Sequence, residues 1–137
     1  MAESHSADEL LDQILRRDRR YTRDAYVFVS ESLNFTVRKK KGQPGHVTGR
    51  ELCEGLCEYA LEQFGRLART VLDTWGVRQS GDIGEIVFNL VGVGLLKKTD
   101  EDRREDFVGV IDFEQALVRG FELHVKSGES DELDAQA

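Results

Sequence analysis

Several things are scarce in this chain, and each scarcity closes off a class of protein. One proline in 137 residues leaves little to interrupt helices. Two cysteines, Cys53 and Cys57, are too few for a disulfide framework. No apolar run reaches the roughly 18 residues that a membrane span needs. The longest, Ile86 to Leu96, is broken by Asn89, Gly92 and Gly94. The opening Met1-Ala-Glu-Ser-His-Ser6 has neither the basic nor the apolar region of a secretory signal, so the expected compartment is the cytosol. Also missing are a Gly-x-Ser-x-Gly elbow, a Walker phosphate loop and a His-Glu-x-x-His helix. The expectation is a chain that is not an enzyme and carries no cofactor or metal.

What is present is charge and helical periodicity. The net charge is −7, unevenly placed: residues 1–50 hold ten Lys/Arg against seven Asp/Glu, and residues 51–137 hold nine against nineteen. An acidic second half repels a phosphate backbone unless its cations gather on one face. That asymmetry predicts a protein partner, with nucleic acid as the alternative and no membrane association. The length fits one domain, able to bury roughly two-thirds of its unfolded surface. Residues 1–6 and the acidic tail 127–137 are too polar to offset chain entropy and read as disordered, leaving a single helical domain over 7–126.

Within that domain, Leu10, Leu11, Ile14 and Leu15 predict a helix over 7–17. A second, about 23–40, shows Tyr26, Ser30, Leu33 and Val37 on one stripe and stops at Gly42, Pro44 and Gly45. Thr48 and Glu51 have capping-box spacing before a helix of about 49–63, closed by Gly65. Helices of about 66–75 and 80–93 follow, the latter with Ser80 as its expected cap. Then the period changes. Leu95-Leu96-Lys97-Lys98 and Phe107–Ile111 flank a charged stretch and read as a short β-hairpin, before a last helix that starts near Asp112 and runs through Phe121. The predicted fold is mainly α: a helical bundle whose C-terminal part, three helices and a hairpin, resembles a winged helix.

The chemistry-bearing residues point to few sites. Cys53 and Cys57 lie four apart on one helix face; with His46 they offer too few ligands for a structural zinc and fit the apolar stripe as small hydrophobes. His5, His46 and His124 supply all the imidazole. The expected recognition helix, 80–93, displays Asp82, Glu85 and Asn89, a face that repels DNA and suits a protein partner. Gly84 and Gly92 in that helix each cost about 1 kcal/mol relative to alanine, so either something approaches closely or the helix is shorter. Arg16, Arg17, Arg19, Arg20 and Arg23 with Arg38, Lys39, Lys40 and Lys41 form the strongest basic concentration. For the nucleic-acid alternative, Arg38–Lys41 would act with Lys97, Lys98, Arg103 and Arg104 of the hairpin.

Six segments also carry a whole-chain likeness: Arg20–Phe28, His46–Leu52, Trp75-Gly76-Val77, Asp82–Leu90, Asp106-Phe107 and Asp112-Phe113. Together, in this order over residues 8–121, they resemble a family of small bacterial single-domain proteins of uncharacterised function. The resemblance implies a bacterial, cytosolic protein and offers no catalytic residue to carry over.

Overall fold

The structure, a computed structural model, describes residues 6–39, 47–97 and 104–119. Five α-helices make the body: α1 (Ala7–Arg17), α2 (Arg23–Lys39), α3 (Gly49–Phe64), α4 (Ala68–Thr74) and α5 (Ser80–Gly92). Two 3-10 turns, Gly65–Leu67 and Arg104–Phe107, and a π-helical turn, Glu114–Arg119, complete it.

The helix starts follow local chemistry. Ser6, expected in a disordered end, accepts a hydrogen bond from the Glu9 N–H and caps α1. Thr48 and Glu51 form the reciprocal capping box of α3, at 3.1 and 2.9 Å. Ser80 is not the cap of α5. Gln79 holds that position, and the Asp82 carboxylate accepts from the Arg78 and Gln79 N–H groups. The Ser80 hydroxyl donates instead to the Phe107 carbonyl.

The core sits where α2, α3 and α5 meet, built from Tyr26, Val29, Leu56, Ile83, Ile86 and Leu90 with Ile14 of α1 and Leu72 of α4. The stripe expected on α2 is rotated. Its buried face is Ala25, Tyr26, Phe28, Val29, Ser32 and Thr36; of the expected stripe Tyr26 is on it, Ser30 and Leu33 are half-buried and Val37 is exposed. Small residues explain the rotation: a Cβ on Gly55 of α3 would fall 1.9 Å from the Thr36 hydroxyl, so α2 and α3 touch through a seam of small side chains. Ser32 lies on the same buried face, and its hydroxyl has no hydrogen-bond partner. Replacing it with alanine removes an unsatisfied group and improves helix propensity. Ser32→Ala is expected to raise stability by about 1 kcal/mol, read as a higher urea midpoint with an unchanged slope.

The expected hairpin is absent: no strand occurs among the described residues, so the winged-helix resemblance falls and a helical bundle remains. The N–H groups that would begin a ladder are already used. Leu95 and Leu96 both donate to the Leu90 carbonyl, at 2.9 and 3.4 Å, closing α5. Of the expected strand and tip, Lys98 and residues 99–103 lie outside the described residues, and residues 104–106 belong to a 3-10 turn. Phe107 ends a 3-10 turn and drops its ring between two helices. A Cβ on Gly84 of α5 would sit 2.7 Å from it, and one on Gly49 of α3 would sit 3.2 Å from it. That ring is the close approach that Gly84 requires. Nothing lies within 4 Å of a Cβ at Gly92, where α5 ends. The last helix begins with Asp112 accepting from the Glu114 N–H at 2.9 Å and is wound as a π-turn through Arg119; its predicted continuation to Phe121 lies outside the described residues.

Candidate functional site

Asp82, Glu85 and Asn89 do share one face of α5, as their spacing predicts, and the fold brings them against the linker between α1 and α2. Tyr21 donates from its hydroxyl to Asp82 at 2.6 Å. The Arg20 guanidinium reaches Glu85 at 3.1 Å and Asp18 at 2.7 Å. Asn89 donates from Nδ2 to Asp18 and to the fully buried Tyr26 hydroxyl, each at 3.0 Å. Asp18, Arg20, Glu85 and Asn89 line a polar cleft of about 390 Å³ with Arg17 and Phe88. The network clamps the α1–α2 linker to α5. On the other side of the linker, the Arg20 carbonyl faces the turn after α4, where a Cβ on Gly76 (φ +93°) would stand 2.2 Å from it. Only glycine adopts that conformation without strain and leaves the room.

The electrostatics of the cleft move ionisable groups away from neutrality. The hydrogen bonds from the Arg20 side chain hold the Asp18 carboxyl well below the usual range, helped by the Arg20 backbone N–H and Asn89. The same pair raises Arg20. Burial, then the bond to Asp82, raises Tyr21, and burial raises Tyr26. Cys53 and Cys57 are buried core thiols, pushed up to about 12 by desolvation. That suits packing and disfavours the thiolate that nucleophiles and metal ligands need. His5, His46 and His124 lie outside the described residues. Among the described residues no three His, Cys, Asp or Glu side chains converge as a metal site.

Among the described residues the basic side chains fall into two separated groups. Arg16, Arg17, Arg19, Arg20 and Arg23 lie near one end of α2, and Arg38 and Lys39 lie at the other. A 17-residue helix separates these ends by about 25 Å. Arg23 is paired with Asp8 and Asp12, and Lys39 with Glu58. Lys97 follows α5, and Arg104 begins a 3-10 turn. Lys40, Lys41, Lys98 and Arg103 lie outside the described residues.

A second surface was not anticipated from the sequence. Five rings pack in contact along the seam of α2, α3 and α4: Phe35 against Tyr59, Tyr59 stacked on Phe28, and Phe28 tilted against both Phe64 and Trp75, with centroids 5.1 to 5.5 Å apart. Only Phe28 is fully buried; the other four are half-buried. Val27 of α2 and Leu67, which ends the 3-10 turn after α3, are exposed at 42% and 56%. The one sequence signal was Asp24, Val27, Phe28 and Glu31 at i, i+3, i+4 and i+7, which places two acids and two apolar groups on one helix face.

Comparison with protein-family models, with curated proteins and with solved structures finds no match to this chain. The two surfaces therefore stand on their own chemistry. No helix among the described residues is long and apolar enough to cross a membrane.

Proposed function

We propose that this chain is a non-enzymatic module that works by binding another protein, as a regulatory element or as a subunit of a bacterial cytosolic assembly. The cluster of rings from Phe35 to Trp75, four of them half-buried, with exposed Val27 beside it and exposed Leu67 three positions after Phe64, carries the reading. Aromatic groups left half in water are what protein interfaces enrich, and one binding event would bury several at once. The polar cleft supports it from the other side. Asp18, Arg20, Tyr21 and Asn89 spend their hydrogen bonds on one another and on the fold, and none of the shifted groups is poised near pH 7 as a general acid or base would be.

The test is quantitative affinity capture from the source cells with three baits: the native chain, Val27→Lys and Leu67→Glu. Both substitutions fall on exposed side chains and are expected to change stability by no more than about 0.5 kcal/mol. A stoichiometric partner held by the native chain should be lost or reduced at least roughly tenfold, each decade in affinity being about 1.4 kcal/mol. Equal recovery by all three baits would contradict the proposal.

A further inference from the structure

Beside Trp75 the aromatic row opens into a small hollow of about 140 Å³, floored by Phe28 and Phe64 and walled by Val27. That volume is close to the roughly 150 Å³ of an apolar cavity that holds one benzene ring. It has room for a single aromatic or branched side chain.

The rim is charged in one sense only. Asp24 and Glu31 line the hollow from the same face of α2, and both are exposed. Several other carboxylates are matched by cations. Asp8 and Asp12 meet Arg23, Asp18 and Glu85 meet Arg20, Glu58 meets Lys39, Asp73 meets Arg78 and Glu114 meets Arg69. Among the described residues neither Asp24 nor Glu31 has an ion pair or hydrogen bond. Two carboxylates without a cation thus border a hollow whose floor is aromatic. Seven residues of helix set them about 10 Å apart.

We infer that this socket takes a basic segment of a partner protein: one aromatic or branched apolar anchor seated against Phe28, Phe64 and Trp75, with a Lys or Arg on each side facing Asp24 and Glu31. The spacing of the rim sets the spacing of the cations. They stand about seven positions apart if the segment is helical and about three apart if it is extended. Anchor burial supplies the affinity, and the rim supplies orientation and rejection of acidic segments. The inference rests on the proposed binding function and adds the chemistry of what is bound.

Trp75 is the one tryptophan of the chain, so its fluorescence reports occupancy of the socket directly. Short random peptides displayed on phage, panned against the intact chain, should enrich sequences with an aromatic or branched residue between two cations. Synthetic copies lacking tryptophan should shift the Trp75 emission saturably and bind more weakly as salt rises. Asp24→Asn with Glu31→Gln should weaken them at least roughly fivefold, the scale of two exposed charge contacts, without altering the unfolding midpoint. Enrichment of neutral or acidic sequences, binding indifferent to the rim substitutions, or no enrichment over a Val27→Lys control would each overturn the inference. Those results leave the capture comparison free to stand, whereas equal capture by all three baits would remove the binding function itself.

Discussion

Phe107→Ala is expected to cost about 3–5 kcal/mol, a large share of the roughly 5–15 kcal/mol that holds a domain of this kind together. The ring is 2% exposed and lies edge-to-face with Phe88 at 6.4 Å. It fills a slot that exists because Gly49 and Gly84 present no side chain toward it. Its backbone carbonyl accepts from buried Ser80, so the turn is held to α5 by one apolar and one polar contact. Gly84→Ala tests the same slot from the opposite wall. The added methyl would lie 2.7 Å from the Cβ and Cγ of Phe107, atoms at the stiff end of that side chain. Overpacking of this kind costs about 1–3 kcal/mol, outweighing the gain in helix propensity of about 1 kcal/mol. With Phe107→Ala in place the turn can retreat, so most of the Gly84→Ala penalty should vanish. Urea unfolding of the two single variants and the double variant measures this coupling; additive losses would show that the ring does not fill the slot.

Asp18→Asn is the second large effect. The carboxylate accepts from the Arg20 backbone and guanidinium and from Asn89, at 2.7 to 3.2 Å, and its side chain is only 17% exposed. An amide in its place turns one acceptor into a donor that faces the NH2 of Asn89. The expected loss at neutral pH is about 2–3 kcal/mol, the range for hydrogen bonds to a charged group. Its pH dependence has a definite sign. The carboxyl is held below its unfolded value of roughly 3.9. Its contribution is therefore complete above that value and is lost as pH falls through it toward the depressed one. The stability gap between the native chain and Asp18→Asn should be constant from pH 7 to about 5 and shrink below about 4. A gap that stayed constant in acid would mean that the network is not charge-assisted.

Much of the helical scaffold was legible because each helix carries its own punctuation. Thr48 and Glu51 announce α3, Gly65 and Gly76 close the segments before them, and the spacing of Ile83, Ile86, Val87 and Leu90 marks the buried face of α5. Three features were not legible, each for a physical reason. Leu95-Leu96 and Phe107–Ile111 are short apolar runs without a period, and such runs do not distinguish a strand from a helix cap or a plugged turn. The inner face of α2 was misjudged because Ser32 and Thr36 are polar, and only Gly55 on the facing helix makes them interior residues. The acids on α5 were placed on one face by spacing, but their partners Asp18, Arg20 and Tyr21 lie more than 60 positions away, a distance that periodicity does not bridge.

The roles proposed for the two surfaces rest on that arrangement. Asp82, Glu85 and Asn89, expected to meet a partner, are engaged in holding α5 to the α1–α2 linker, and the aromatic seam is left with open contacts. The sharpest measurement replaces Trp75 biosynthetically with fluorotryptophan and the tyrosines with fluorotyrosine, and follows the fluorine resonances as the captured partner is added to the full chain. Movement of the Trp75 resonance with Tyr21 and Tyr26 unchanged is the predicted result. A stationary Trp75 beside shifted Tyr21 and Tyr26 would contradict the account and return recognition to the polar face of α5.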